Sequence, residues 1–178
     1  VCRLQPVCQH LSGGQLYHDE TDKRRRDRET ELDGAPQQPD AQRGLAMTIA
    51  NEDLINAAKE ARANAYNVYS NYRVGAAIVD DRGHLHVGCN VENAAYPLGS
   101  CAEAGAIAAM VQQGGKRIVK IAVVGGFEAV GPCTPCGGCR QRIHEFADGN
   151  TVILAIDDSN EWQEFSISDL LPASFHLY

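Results

Sequence analysis

The sequence predicts an α/β protein built on a mixed sheet covered by helices. Three observations predict it. Strand-like and helix-like stretches alternate after a single hairpin pattern. Ile121-Ala122-Val123-Val124-Gly125 is a continuous apolar run of the kind a strand shows when both its faces are buried. A chain of 178 residues, 44 % of them hydrophobic, can also bury one proper core.

Composition narrows the function classes. A net charge of −7 argues against a polyanion such as DNA or RNA as partner. No apolar run approaches the roughly 20 residues of a membrane span. Of seven cysteines, Cys89, Cys101, Cys133, Cys136 and Cys139 fall in one stretch. Without a legible export signal, that clustering points to metal binding in a reducing cytoplasm rather than to disulfides.

Residues 1–46 differ in character from the rest of the chain. Lys23-Arg24-Arg25-Arg26 stands among interleaved acids, and seven Lys and Arg against eight Asp and Glu leave the segment near neutral. Few apolar positions recur at helical or strand period, so little burial offsets the ordering entropy. The expectation is a disordered extension, dispensable and absent from the native product, with the folded domain at 47–178 and a start at Met47. A nucleic-acid or localisation patch is the rival reading of the basic run.

Leu54 to Tyr66 reads as a helix, with apolar positions 54, 55, 58, 61 and 65 on one face and acids at its start. Tyr72 to Val79 is a strand, Asp80-Asp81-Arg82-Gly83 a turn, and His84 to Cys89 the returning strand. His84 and His86 alternate and point one way. They read as exposed polar residues of a half-buried strand, with metal ligation the minority alternative. Asn90 and Glu92, at i and i+2, project to one side and offer a grip for vicinal hydroxyls, or simply a polar loop; spacing leaves that contest even. Tyr96-Pro97 turns the chain into Ser100, a candidate helix cap.

Cys101 and Glu103 then open the Ala-rich helix 102–110, where free backbone N–H groups and the helix dipole favour negative charge. Gly114-Gly115 ends it. Pro135-Cys136-Gly137-Gly138-Cys139 puts two more sulfurs at the start of a helix through Phe146, Thr151 to Ile156 is another strand, and the tail from Phe165 suggests a short strand and a helical turn. A β-α-β-α-β path sets both cysteine-bearing helix starts at one sheet edge. Three thiolates with a nearby carboxylate that is not itself a ligand suggest Zn²⁺ with one open position. Cys133 keeps alternatives open, because C-x-x-C-x-x-C also suits a closed four-thiolate zinc or an iron–sulfur cluster, and unligated core cysteines are the bland reading.

Cys101-Ala102-Glu103 with Pro135-Cys136-Gly137-Gly138-Cys139 resembles the zinc deaminase signature. Tyr72-Arg73-Val74-Gly75-Ala76-Ala77, Gly88-Cys89-Asn90-Val91-Glu92-Asn93-Ala94 and Tyr96-Pro97-Leu98-Gly99 are similar to the small cytidine deaminases, and the likeness runs from Met47 to Phe175. The resemblance implies a three-layer α/β/α fold on a mixed five-stranded sheet, usually a homotetramer with active sites shared between subunits. It implies deamination of cytidine and deoxycytidine in pyrimidine salvage. By it, Cys101, Cys136 and Cys139 bind zinc, Glu103 shuttles protons, and Asn90 and Glu92 hold the ribose. Tyr72 would wall the pocket, Ala102 would offer backbone contacts to the base, and Tyr96 and Phe175 would reach a neighbouring subunit's pocket. One departure is that Ala104 stands where the family usually has Arg to offset thiolate charge. Arg140 and the helix starts are the expected substitutes. A deaminase of another heterocycle such as blasticidin S, a non-catalytic zinc module and a polynucleotide editor are the rival functions.

Overall fold

The computed structural model of the chain describes residues 49–176, and the expectation for residues 1–46 lies outside them. Helix α1 (Asn51–Ala63) leads to strands β1 (Arg73–Asp80) and β2 (Leu85–Cys89). A single 3₁₀ turn, Tyr96–Leu98, precedes α2 (Ala102–Gln112), β3 (Ile118–Gly126) and α3 (Gly137–Phe146). Strands β4 (Val152–Ile156) and β5 (Trp162–Phe165) and the short α4 (Ile167–Leu170) complete the described chain.

The five strands form one mixed sheet, as expected, and the structure adds their order, β2-β1-β3-β4-β5. β1 is antiparallel to both β2 and β3, β3 is parallel to β4, and β5 runs back along β4. β2, β3 and β4 therefore share a direction, with β1 reversed between the first two. The helices after β2 and after β3 consequently both begin beyond the C-terminal edge of those strands. That shared edge is where the two cysteine-bearing helix starts meet.

Period-two alternation splits the strands between two cores. Ala76 and Ile78 of β1 with Ile121 and Val123 of β3 face one way, against Ala106 and Met110 of α2, Ile143 of α3 and Leu170 of α4. Ala77, Val79, Ala122 and Val124 face the other way, against Leu54 and Ala58 of α1. The result is the expected three-layer α/β/α arrangement. Each fully buried Ile or Leu contributes about 2 kcal/mol over its exposed state.

A glycine decides how α2 lies. A Cβ at Gly88 of β2 would collide with the backbone of Ala102 and Ala106, so only glycine lets the first turn of α2 rest on that strand. Gly83 closes the β1–β2 hairpin with φ 81°, donating its N–H to Asp80 O at 3.0 Å.

Three local expectations need correction. His86 is buried, not an exposed strand residue: its Nε2 lies 2.9 Å from Asp80 Oδ2 on a side chain that is itself fully buried. His84 is exposed, and His84 and His86 join no metal-ligating cluster among the described residues. The cap of α2 is Cys101 itself rather than Ser100. The last strand ends at Phe165 instead of beginning there, because Ser166 and Asp169 form a capping box that starts α4 at Ile167.

Candidate active site

Three sulfurs converge at the shared edge. The thiol groups of Cys101, Cys136 and Cys139 all lie within 4.8 Å of one another. Cys101 is the N-cap of α2, Cys136 the N-cap of α3, and Cys139 sits in the first turn of α3. Pro135 and the β-region φ/ψ of Cys136 (−65°, 165°) keep that residue outside the helix while its carbonyl takes the first helical bond, from Arg140 N at 2.9 Å. The first turn of α3 accordingly turns one unpaired N–H, that of Cys139, toward the Cys136 sulfur.

The thiols oppose one another's ionisation. Burial and then Coulomb repulsion from Glu103 push the Cys139 thiol far up. Burial also raises Cys101, with the charges of Cys136 and Glu103 adding to it. Cys136 is lowered: burial works against it, but the Cys139 N–H and the thiols of Cys139 and Cys101 donate to its sulfur. One thiolate is thus supported by hydrogen bonds, and two further thiolates need a cation among them.

Glu103, in the first turn of α2, is only 3 % exposed. Burial raises its affinity for a proton, partly offset by its own N–H, by the Cys139 thiol and by the charge of Arg142. A buried carboxylate beside the thiols, on the floor of an open cleft, has no packing explanation.

That cleft has a volume of about 800 Å³ and is bordered by Tyr72, Asn90, Glu92, Tyr96, Ala102 and Glu103 as well as by Cys101 and Cys136. Asn90 Oδ1 accepts from Val74 N at 2.8 Å and its Nδ2 donates to Tyr72 O at 2.9 Å, which ties the start of β1 to the end of β2. One N–H and one lone pair of the amide remain. Glu92 accepts the Ser70 hydroxyl and the N–H groups of Tyr69 (2.8 Å) and Ser70 (3.2 Å), which hold its carboxyl below the usual range. The Tyr72 ring meets Phe127 edge-on at 5.0 Å between centroids. Burial, then the Cys133 thiol, push its phenol up to about 12. Tyr96 is 77 % exposed and borders the cleft of its own chain, with Tyr69 at 6.3 Å between ring centroids. Phe175 is 69 % exposed and stands outside this cleft; its carbonyl accepts from Gln141.

The sequence matches the family described as "Cytidine and deoxycytidylate deaminase zinc-binding region" over residues 48–155. This chain belongs to that family. The cytidine deaminase of Sporosarcina psychrophila is 40 % identical over 124 residues, covering 70 % of this chain and 90 % of that protein. That of Halalkalibacterium halodurans is 38 % identical over 122 residues, 68 % of this chain and 91 % of its own. The crystal structure of cytidine deaminase from Burkholderia pseudomallei superposes with a TM-score of 0.65 at 40 % identity, over 71 % of this chain and all of that one.

The donor set of this deaminase-family chain fits Zn²⁺, which takes thiolates tetrahedrally and, with three of them, keeps a fourth position open. Cys133 does not join the three sulfurs, so the closed four-thiolate reading is not supported. Its N–H donates to Ile156 O at 2.8 Å and its thiol faces Tyr72. Arg140 also differs from expectation. Its guanidinium bonds Pro135 O and Leu170 O, each at 2.8 Å, and Thr134 Oγ1 at 3.4 Å, so it braces the Cys136 loop rather than the sulfurs. Tyr69, Ser70 and Asp158 border the cleft without any sequence signal. The first two lie in the α1–β1 loop, and nothing in local spacing couples them to Glu92.

Proposed function

We propose that this chain hydrolyses cytidine and deoxycytidine to uridine and deoxyuridine, releasing ammonia. The observation that carries the reading is Glu103, a buried carboxylate at the floor of a nucleoside-sized cleft beside three convergent thiols. Cys101, Cys136 and Cys139 hold Zn²⁺. When bound, the metal acidifies a water enough to supply hydroxide near neutral pH. Glu103 accepts the water's first proton and delivers it to N3 of the cytosine as oxygen bonds to C4. It then carries the hydroxyl proton from the tetrahedral C4 to the departing amine. The C4–N bond breaks, ammonia leaves, C4 keeps a carbonyl oxygen, and Glu103 is again a carboxylate. The raised proton affinity of Glu103 suits a group that must hold a proton between transfers.

Asn90 and Glu92 take the ribose hydroxyls with the hydrogen-bonding capacity their protein partners leave. Tyr72 walls one side of the base and Ala102 offers it backbone groups. With Glu92, Glu103 and Asp158 along the cleft and no Lys or Arg among the described residues bordering it, the charge favours a nucleoside over a phosphorylated one. The protein assembles as a homotetramer in which Phe175 reaches a neighbour's site, a reading supported by the exposure of Tyr96, Leu98 and Phe175. No helix of the described residues is long and apolar enough to cross a membrane. The free thiols of the five described cysteines suit a reducing compartment, the cytoplasm.

Loss of cytidine absorbance tests the reaction. Glu103→Ala should keep stoichiometric zinc and lose at least about 10³-fold in kcat, because one group serves every proton transfer. Near-normal turnover would remove Glu103 from the mechanism.

A further inference from the structure

Arg62 stands in the last turn of α1, in the layer opposite the two helices that carry the sulfurs. Leu54 and Ala58 bury that helix against β1 and β3, which fixes where the side chain emerges. Its guanidinium reaches the loop after β3. One nitrogen, Nη2, donates to Phe127 O at 2.8 Å and Gly126 O at 3.0 Å, and contacts the carbonyls of Glu128 and Ala129 at 3.3 Å each. Four successive carbonyl oxygens turned to one point repel one another unless a cation stands among them. Arg62 Nε, in contrast, is buried with no hydrogen-bond partner among the described residues, so this placement does not serve the guanidinium best. It serves the loop.

Residues 127–130 belong to no helix or strand, and Gly131 N donates to Gly125 O at 3.0 Å to close the loop they form. Phe127 is 63 % exposed, yet its ring stands edge-on to Tyr72, with centroids 5.0 Å apart and planes at 85°. The Tyr72 hydroxyl donates to Pro132 O at 3.3 Å, in the segment that runs on from the same loop toward Cys136. Tyr72 borders the cleft and Phe127 does not. An exposed ring on an irregular loop keeps one position against its neighbour only where the backbone beneath it is fixed.

We infer that Arg62 is a positioning residue for the base site: by gathering the carbonyls of residues 126–129 it sets Phe127 behind Tyr72, and so fixes the wall against which the base lies. It touches neither substrate nor metal. Its contribution is to substrate binding, because a loose wall weakens the hold on the base and leaves Glu103 and the three thiols where they are. The inference rests on the reading that Tyr72 walls the base.

A double-mutant cycle on the purified holoenzyme tests it, with cytidine as substrate and zinc content measured on each variant. Arg62→Met should raise KM about three- to tenfold, with kcat changed less than about twofold and zinc stoichiometric. Phe127→Ala should do the same, and it reads the same contact without touching the partly buried guanidinium. The double variant should be no worse than the worse single one, because both act through one contact. A purely structural role for Arg62 would instead lower kcat, zinc content and melting temperature together, and its effect would add to that of Phe127→Ala. Tyr72→Ala separates the inference from the reading beneath it, and should raise KM more than either single variant. Raised KM in Tyr72→Ala beside an unchanged KM in Arg62→Met or Phe127→Ala, or additive losses in the double variant, would overturn the inference and leave Tyr72 as the wall. Unchanged KM in Tyr72→Ala would overturn both.

Discussion

Asn90 has a structural duty that must be separated from its proposed grip on the ribose in any mutagenesis experiment. Its amide bonds Val74 N and Tyr72 O, so it fastens β1 to the end of β2 before any ligand arrives. Each neutral hydrogen bond contributes about 1 kcal/mol, and removing the amide leaves a backbone donor and an acceptor to find other partners. Asn90→Ala should therefore cost about 1–2 kcal/mol in urea unfolding and also raise KM for cytidine about tenfold or more. A variant with raised KM and unchanged stability would mean that the two backbone bonds are replaced by water at no cost. Unchanged KM would mean that the ribose does not use this residue. Glu92 is the contrasting case, because its partners Tyr69 and Ser70 come from a loop rather than a strand. Spacing left an even contest between a polar loop and a hydroxyl grip because such residues bond their own backbone and loop neighbours whether or not a sugar arrives.

The helices place the chemistry, and glycine places the helices. α2 can bring Cys101 and Glu103 to the sheet edge because Gly88 lets its first turn lie directly on β2. In Gly88→Ala the new methyl must displace the backbone of Ala102 and Ala106, at a cost of about 1–3 kcal/mol or more for overpacking. The shift is transmitted to Cys101 and Glu103, so zinc content after dialysis and kcat should both fall. Gly137→Ala is the matched control. A Cβ there meets nothing within 4 Å, although Gly137 adjoins Cys136, so zinc and activity should persist. Equal behaviour of the two variants would refute the packing argument. Much at this level was legible in the sequence. Helix starts at Cys101 and Cys136 follow from Pro135, the Ala-rich run and the acid in the first turn, and the hairpin follows from Gly83. What escaped were long-range partners. The burial of His86 depends on Asp80 across the hairpin turn, the Ser70–Glu92 bond spans 22 residues, and the role of Arg140 depends on Leu170. No local period encodes such pairs, and Trp162–Phe165 is a strand chiefly because β4 offers it an edge.

At the scale of the whole molecule, several large side chains with apolar surface stay exposed. Tyr96, Leu98, Phe127 and Phe175 are 77, 72, 63 and 69 % exposed, which is costly for large apolar groups that stay in water. Tyr96 stands at the mouth of its own cleft, whereas Phe175 lies beyond it. If Phe175 completes a neighbour's cleft, two differently damaged chains can repair each other. A Glu103→Ala chain lacks the proton shuttle but still presents Phe175. A Phe175→Ala chain keeps the shuttle but serves its neighbour poorly, with raised KM as the main symptom. Co-assembled from mixed chains, some sites combine an intact Glu103 with an intact Phe175 from the other chain. Activity per Glu103 site at low cytidine should then exceed that of the pure Phe175→Ala assembly. Size-exclusion chromatography with light scattering would verify that mixed oligomers formed. Formation of mixed oligomers with no improvement in KM would show that Phe175 serves its own chain or none.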